Sequence, residues 1–195
     1  MHDGIRDVRD PRTLRAVAHP LRLTLLDLIE RRGTLTSAEA AQATGENTGS
    51  CSFHLRQLAK YGYVEAAPGR DGRERRWRRA AIGERLAAPL DAETTRTGLE
   101  VTRILAERLA ADATLWLERH DREPAEWQEG AVFDHELLYL TSEEMRALGK
   151  RLVELFAPYR ERTTDITQRP PDARAIRAAA LLFALADTES HGRSG

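Results

Sequence analysis

Asn47–Ala80, NTGSCSFHLRQLAKYGYVEAAPGRDGRERRWRRA, reads as a short amphipathic helix followed by two strands that turn at Asp71-Gly72. Cys51, Leu55 and Leu58 follow i, i+4, i+7 and give the helix one apolar side, with Asn47 able to cap its first turn. Tyr63, Val64 and Glu65 start the first strand, Pro68 to Arg73 form the loop, and Glu74 to Arg79 return. Six arginines fall between Arg70 and Arg79, opposed only by Asp71 and Glu74. A helix narrow enough for a major groove, beside a basic hairpin, is the layout of a winged helix that binds duplex DNA.

The residues upstream supply the rest of such a unit. Pro11 opens a short helical stretch with Leu14, Val17 and Ala18 on one face, ending at His19-Pro20. Proline suits the first turn of the next helix, because it lacks an N–H that would be unpaired there anyway. That helix is predicted over about Leu21–Arg31, with Leu21, Leu25, Leu28 and Ile29 inward and Gly33 as its stop. Thr36-Ser37-Ala38-Glu39 is a capping box that opens a helix over Ser37–Ala43, ended by Gly45. Two short helices across a tight glycine-containing turn make a helix-turn-helix.

With the apolar side of helix 48–60 inside, its other side presents Thr48, Ser50, Ser52, Phe53, Arg56 and Gln57. Hydroxyls, a guanidinium and an amide can address base edges and phosphates, and Phe53 a thymine methyl. His54, at the border of the buried face, suits packing or a phosphate better than a metal. In the hairpin, Arg70, Arg73, Arg75 and Arg76 are the candidate contacts, with loop residues Arg70 and Arg73 best placed for a minor groove or flanking phosphate. Side chains alternate along a strand, so these arginines cannot all face one partner, and Arg78 and Arg79 also fit a merely charged surface hairpin.

Two fragments of this region resemble a known family. His19-Pro20-Leu21-Arg22-Leu23 followed by Leu25-Leu26 is similar to the helix before the helix-turn-helix of ArsR-type winged-helix repressors. Ser52-Phe53-His54-Leu55-Arg56-Gln57-Leu58 and then Tyr61-Gly62-Tyr63-Val64 resemble their recognition helix and first wing strand. The resemblance covers about residues 11–80. It implies a homodimeric transcriptional regulator, usually a repressor released by a signal, with Ser52, His54 and Arg56 near the DNA. Thr44 and Glu46 depart from it, standing where the family usually has apolar residues around the turn glycine.

Net charge is −1 over 195 residues, but it is unevenly spread. Residues 1–80 hold 15 Lys+Arg against 10 Asp+Glu, and residues 81–195 hold 15 against 21. A basic first part joined to an acidic second part suits a polyanion-binding module that carries something else. The single cysteine, Cys51, leaves no intramolecular disulfide and no thiolate cluster within one chain. No apolar run reaches the ~20 residues that span a bilayer, and the first residues lack a signal core, so the expected location is the cytoplasm.

Beyond Ala80 a long helix is predicted over 91–119, with Val101, Leu105, Leu109, Ala113 and Trp116 near one stripe that a second copy could cover. Trp127 to Leu140 alternates as a strand with Phe133, His135, Leu137 and Tyr139 on one face. Thr141-Ser142-Glu143-Glu144 is a second capping box, opening a helix with Met145, Leu148, Leu152, Leu155 and Phe156 inward. Arg169-Pro170-Pro171 is a linker. For residues 173–187 the alanines favour helix, whereas Ala180-Leu-Leu-Phe-Ala-Leu suits a buried strand beside 131–140, the assignment adopted here. Trp116, Trp127, Phe133, Tyr139 and Phe156 are core residues or the lining of a pocket for an unidentified organic effector. His120, Asp121, Asp134, His135 and Glu136 have metal-binding chemistry, but a helix end and an alternating strand give them no common centre. No metal or cofactor is therefore expected.

The fold expected is α+β and mainly helical: a winged helix-turn-helix domain over 11–80, then a long dimerisation helix and a small α/β region over 81–187, with loose tails at 1–10 and 188–195. No nucleophile elbow, phosphate loop, dinucleotide fingerprint or metalloprotease helix occurs, which disfavours an enzyme. The function expected is a dimeric, sequence-specific repressor on a palindromic duplex. A winged helix used for protein assembly, or an architectural DNA-binding protein, is the alternative.

Overall fold

A computed structural model describes residues 5–8, 10–68, 74–80, 83–86 and 91–185. Mostly helical, it carries one small antiparallel sheet, as a winged helix domain followed by a long helix requires. Helices α1 (Pro11–Arg15), α2 (Pro20–Arg32), α3 (Ser37–Thr44) and α4 (Thr48–Lys60) form the first part. Strands β2 (Thr34–Leu35), β3 (Val64–Ala66) and β4 (Trp77–Arg79) pair antiparallel in the order β2-β4-β3. Val64 lies opposite Arg79 and Ala66 opposite Trp77, while Leu35 meets Trp77 from the other edge. The two-residue β2 escaped the sequence reading, because nothing in Thr34-Leu35 alone separates it from a loop.

The core explains why these helices stay together. Leu25, Ile29, Leu35, Leu55 and Leu58 are fully buried, joined by Val64 and Trp77 from the sheet. On α2 the buried face is Leu23, Leu25, Leu26 and Ile29, with Leu21 and Leu28 packed only partly against it. Tyr63 is buried and donates its hydroxyl to Thr13 O at 2.9 Å, tying α1 to the wing.

Helix α5 (Ala92–Leu117) is capped by Asp91, whose carboxylate accepts from Thr94 N at 2.8 Å. Only its first turns enter the core, through Thr94, Thr97, Gly98 and Val101. Farther along, Leu105, Leu115 and Leu117 are exposed. Residues 5–8, expected to be loose, form strand β1 (Ile5–Val8), parallel to β5 (Gly83–Leu86). Neither segment shows enough alternation by itself to announce a strand. The expected tail 188–195 lies outside the described residues.

The two strands expected in the C-terminal region are corrected. Pro124 starts helix α6 (Ala125–Glu129), so Trp127 is helical and carries the Arg174 guanidinium 4.6 Å above its ring. Residues 131–141 run without turn or bend but pair with nothing among the described residues. Residues 173–185 likewise form neither strand nor helix. Alternation specifies a strand only when a neighbouring edge takes up the backbone N–H and C=O groups. Within the described residues neither segment finds that edge. Helix α7 (Ser142–Leu155) does open on the Thr141–Glu144 capping box. Its Met145, Leu148 and Leu152 are half-buried, and Leu155, expected inward, is exposed. Helix α8 (Glu161–Thr164) and the turn Ile166–Gln168 then bring the chain back onto α2.

Candidate nucleic-acid interface

Local chemistry sets the angle of α4. Thr36 Oγ1 accepts from Glu39 N at 3.1 Å and Glu39 Oε2 from Thr36 N at 2.8 Å, closing the capping box of α3. Gly45 ends α3 with φ +76°, a left-handed geometry that costs an L side chain about 1–2 kcal/mol. Asn47 Oδ1 then accepts from Ser50 N at 2.8 Å and starts α4 two residues after the turn glycine. Cys51, Leu55 and Leu58 are fully buried on its inner side. Thr44, one of the departures from the family pattern, donates its hydroxyl to Ala40 O at 2.8 Å and sits 3.7 Å from Cys51 Sγ, so a polar residue is satisfied at that packing position.

The outer side of α4 leaves Thr48, Phe53 and Arg56 exposed, with Ser50, Ser52 and Gln57 half-buried at its margins. Arg56 Nη1 donates to Ser52 Oγ at 2.8 Å, so the side chain lies back along the helix with its guanidinium against the hydroxyl one turn earlier. Lys60 is exposed four residues beyond Arg56, and α4 contains no Asp or Glu. Sequence reasoning passed over Lys60, although the i, i+4 spacing from Arg56 was there to find it. His54 turns the other way: its ring stands 4.4 Å from the His19 ring, and its Nδ1 is buried without a partner among the described residues. Burial, with His19 and Arg22 adding to it and Glu46 opposing, holds its pKa below the usual 6.5. His54 is therefore a neutral packing residue at pH 7 rather than a cation on the outer face.

Most of the hairpin arginines described are engaged inside the fold. Arg76 Nη2 lies 2.8 Å from Glu39 Oε1 and its Nη1 donates to Thr34 Oγ1 at 3.1 Å, fastening the wing to the start of α3. Arg78 pairs across the sheet with Glu65 at 2.6 Å. Arg79, with its side chain 9% exposed, has Nε 3.0 Å from Glu30 Oε1, an ion pair off the hydrogen-bond direction. Arg75 has no carboxylate partner among the described residues and lies 5.3 Å from the Trp77 ring centroid. Arg70 and Arg73 lie outside the described residues. The geometry thus gathers Thr48, Ser52, Phe53 and Arg56 on one surface, leaves Arg75 without a carboxylate among the described residues, and gives Arg76 a second, structural, task.

The other chemical candidates stay apart. His120 Nδ1 is 3.1 Å from Asp121 Oδ1, but no three His, Cys, Asp or Glu residues among those described are placed to hold a metal ion. A wide-mouthed cavity of about 420 Å³ lies at the end of α5, walled by Trp116, Leu117, Gln128 and Phe133 and edged by His120 and Asp121. Trp127, Tyr139 and Phe156, the other expected lining residues, do not contribute to it. No described helix is long and apolar enough to cross a membrane.

Among solved structures, the chain is similar to the homodimeric winged helix-turn-helix DNA-binding domain (residues 1–100) of a possible ArsR-family transcriptional regulator from Mycobacterium bovis. That NMR structure is 30% identical, with 50% of this chain and 79% of that one covered and a TM-score of 0.34. A crystal structure of a possible transcriptional regulatory protein from the same organism, also residues 1–100, is 30% identical over 52% of this chain and 88% of that one, with a TM-score of 0.33. A transcriptional regulator homologue from Pyrococcus horikoshii is 17% identical over 52% and 88%, with a TM-score of 0.32. No family model matches the chain, and no curated protein does.

Proposed function

We propose that the chain is a sequence-specific, homodimeric DNA-binding repressor of the ArsR-type winged helix-turn-helix kind, acting in the cytoplasm, a reading supported by the helix-turn-helix and three-stranded wing of its first part. Residues 11–80 are its DNA-binding domain and 81–187 its dimerisation and effector region. Helix α4 enters the major groove with Thr48, Ser50, Ser52, Phe53, Arg56 and Gln57 toward base edges and phosphates. The wing, through Arg70, Arg73, Arg75 and Arg76, grips the flanking groove. A two-fold dimer offers two such helices to a palindromic operator, its half-sites about one helical turn apart. An unidentified organic effector releases it. It is a binding protein rather than an enzyme.

The observation that carries this reading is the acid-free outer stripe of α4, whose opposite side is fully buried and whose start is fixed by Asn47. An ordinary solvated helix has no reason to keep Phe53 half-exposed between Ser52 and Arg56 on a helix that itself carries no Asp or Glu. The test is selection of duplexes from a random pool, then fluorescence anisotropy on the selected and a scrambled duplex over a salt series. The slope of log affinity against log salt should be steep, about −0.9 for each phosphate contact. Arg56→Ala should cost about 1–3 kcal/mol on the selected duplex and much less on the scrambled one. Equal losses on both would remove base reading from Arg56. A flat salt series with no selected sequence would instead indicate an assembly module.

A further inference from the structure

Two stretches of this chain have strand character and no strand beside them. Residues 131–141 and 173–185 run without turn or bend, yet no backbone N–H in 132–140 or 174–185 donates to a backbone carbonyl among the described residues. The first is bare on both sides: Val132 is 80% and Tyr139 92% exposed, with Leu137 between them. The second is anchored at its start, where Arg174 pairs with Glu123 at 3.0 Å and Arg177 with Asp112 at 2.9 Å and Asp27 at 3.0 Å. Past that anchor it alternates. Leu182 lies against Gly149 of α7, while Leu181, Phe183 and Leu185 face outward.

We propose that these segments are completed by a second copy of the chain: 132–140 of one copy pairs edge to edge with 178–185 of the other, and the reverse pairing closes the two-fold. Four observations carry the proposal. Unpaired strand edges are templates for another strand, and this chain provides two. In a two-fold pair each of the two segments gains a partner strand along one edge, and the two pairings are equivalent by symmetry. The exposed area fits as well. Eight large apolar side chains of the two pairing stretches are half-exposed or more, and each offers roughly 60–120 Å² when fully exposed. That comes to on the order of 500 Å² of apolar surface per copy, about the apolar share of the ~800 Å² that each partner contributes to a stable interface. The surface is also continuous with the exposed stripe of α5, since Phe133 at the start of the first segment stacks 5.2 Å from Trp116 near the end of that helix. Finally, 178–185 carries no charge, whereas pairing 132–140 with its own copy would bring Asp134 and Glu136 toward their like.

This inference rests on the dimer reading above, so the experiment separates the two. Amide hydrogen exchange by mass spectrometry and sedimentation equilibrium are run on the full chain and on the double variant Leu137→Asp/Tyr139→Asp. Both altered residues are exposed in the single chain, and unchanged exchange of α2 and α4 amides serves as the control for folding. In the unaltered dimer, 132–140 and 178–185 should exchange about 100-fold or more below the free-chain rate. In the variant, both segments should lose that protection, including the unaltered 178–185, and the dimer dissociation constant should rise at least about tenfold. Free-chain exchange in a sedimenting dimer overturns the pairing and leaves the dimer standing. Protection lost with an unchanged dissociation constant places the pairing within one chain and overturns it too. Sedimentation of the unaltered protein as a single chain defeats the dimer reading, and this inference with it.

Discussion

Gly33→Ala is the substitution whose cost can be worked most directly from the geometry. Gly33 closes α2 at φ +79° and ψ −44°, donating its N–H to Ile29 O at 2.7 Å. An L residue held there bears about 1–2 kcal/mol of backbone strain. The second contribution comes from the C-terminal region. A Cβ on residue 33 would stand 2.5 Å from Ile166 Cγ2 and 3.4 Å from its Cδ1. Carbon atoms prefer about 3.5–4.0 Å, so Ile166 must retreat by about 1 Å. It has little freedom to do so, because Asp165 caps its turn onto Thr167 N at 2.9 Å and Arg169 donates to Arg31 O at 2.7 Å. Overpacking of that kind costs about 1–3 kcal/mol, for a total of about 2–5. Urea denaturation of Gly33→Ala, Ile166→Ala and the double variant, followed by far-ultraviolet circular dichroism, separates the two contributions. With Ile166 truncated, Gly33→Ala should cost only its backbone share, a coupling of about 1–3 kcal/mol. An identical cost in both backgrounds would mean that residue 166 does not rest on the end of α2, and the reasoning would fail.

Three further outcomes follow from the same geometry. Asn47→Ala removes the acceptor for Ser50 N and should cost about 1 kcal/mol in thermal or urea unfolding, while fraying the turn that carries Thr48 and Ser50; an unchanged midpoint would argue against the cap. Arg79→Ala leaves Glu30, whose pKa burial already raises against the pull of Arg79, without its counter-charge. It should cost about 2 kcal/mol at pH 7, and less as pH falls and Glu30 takes up a proton; a pH-independent loss would point to packing alone. The His19–His54 pair predicts the opposite pH trend. Burial and Arg22 lower both pKa values below 6.5, so as pH drops below about 6.5 the unfolded chain gains protons that the folded chain still refuses. Stability should decline there, and His54→Gln, which stays neutral, should flatten the decline; an unaltered pH profile would remove the pair as its source.

The winged helix was legible because each of its signals is local and has a mechanism. A capping box, a turn glycine, Asn47 and an i, i+4, i+7 stripe of Cys51, Leu55 and Leu58 each fix a few residues, and all agree. The site was legible only in part. Periodicity identified which α4 residues point outward, but it could not see that Arg76 would find Glu39, thirty-seven residues away, or that His54 would lean on His19. Those are tertiary pairings between side chains whose types say nothing of distance. The second part of the chain was less readable for a different reason. The alternation in 131–140 is real, but a strand exists only with a neighbour, and periodicity does not supply one. The leucines of α7 likewise report an apolar face without saying how much of the chain covers it.

Helix α2 is where these two levels of information meet. It is about 20 Å long at 1.5 Å per residue. At its N-terminal end, the capping residue His19 accepts from Leu21 N at 3.2 Å through Nδ1 and packs its ring on His54 of α4. Midway, Asp27 receives Arg108 from α5 and Arg177 from the C-terminal segment. At its C-terminal end, Arg169 donates to the Glu30 and Arg31 carbonyls and Ile166 fills the space above Gly33. Exposed ion pairs taken singly contribute little. Here two guanidinium groups converge on one half-buried carboxylate and a third closes carbonyls that α2 would otherwise leave to water. The C-terminal region is therefore fastened to the same helix that touches α4. A segment that shifts when a second copy or an effector binds has to carry α2 with it or release Asp27 and the carbonyls of Glu30 and Arg31.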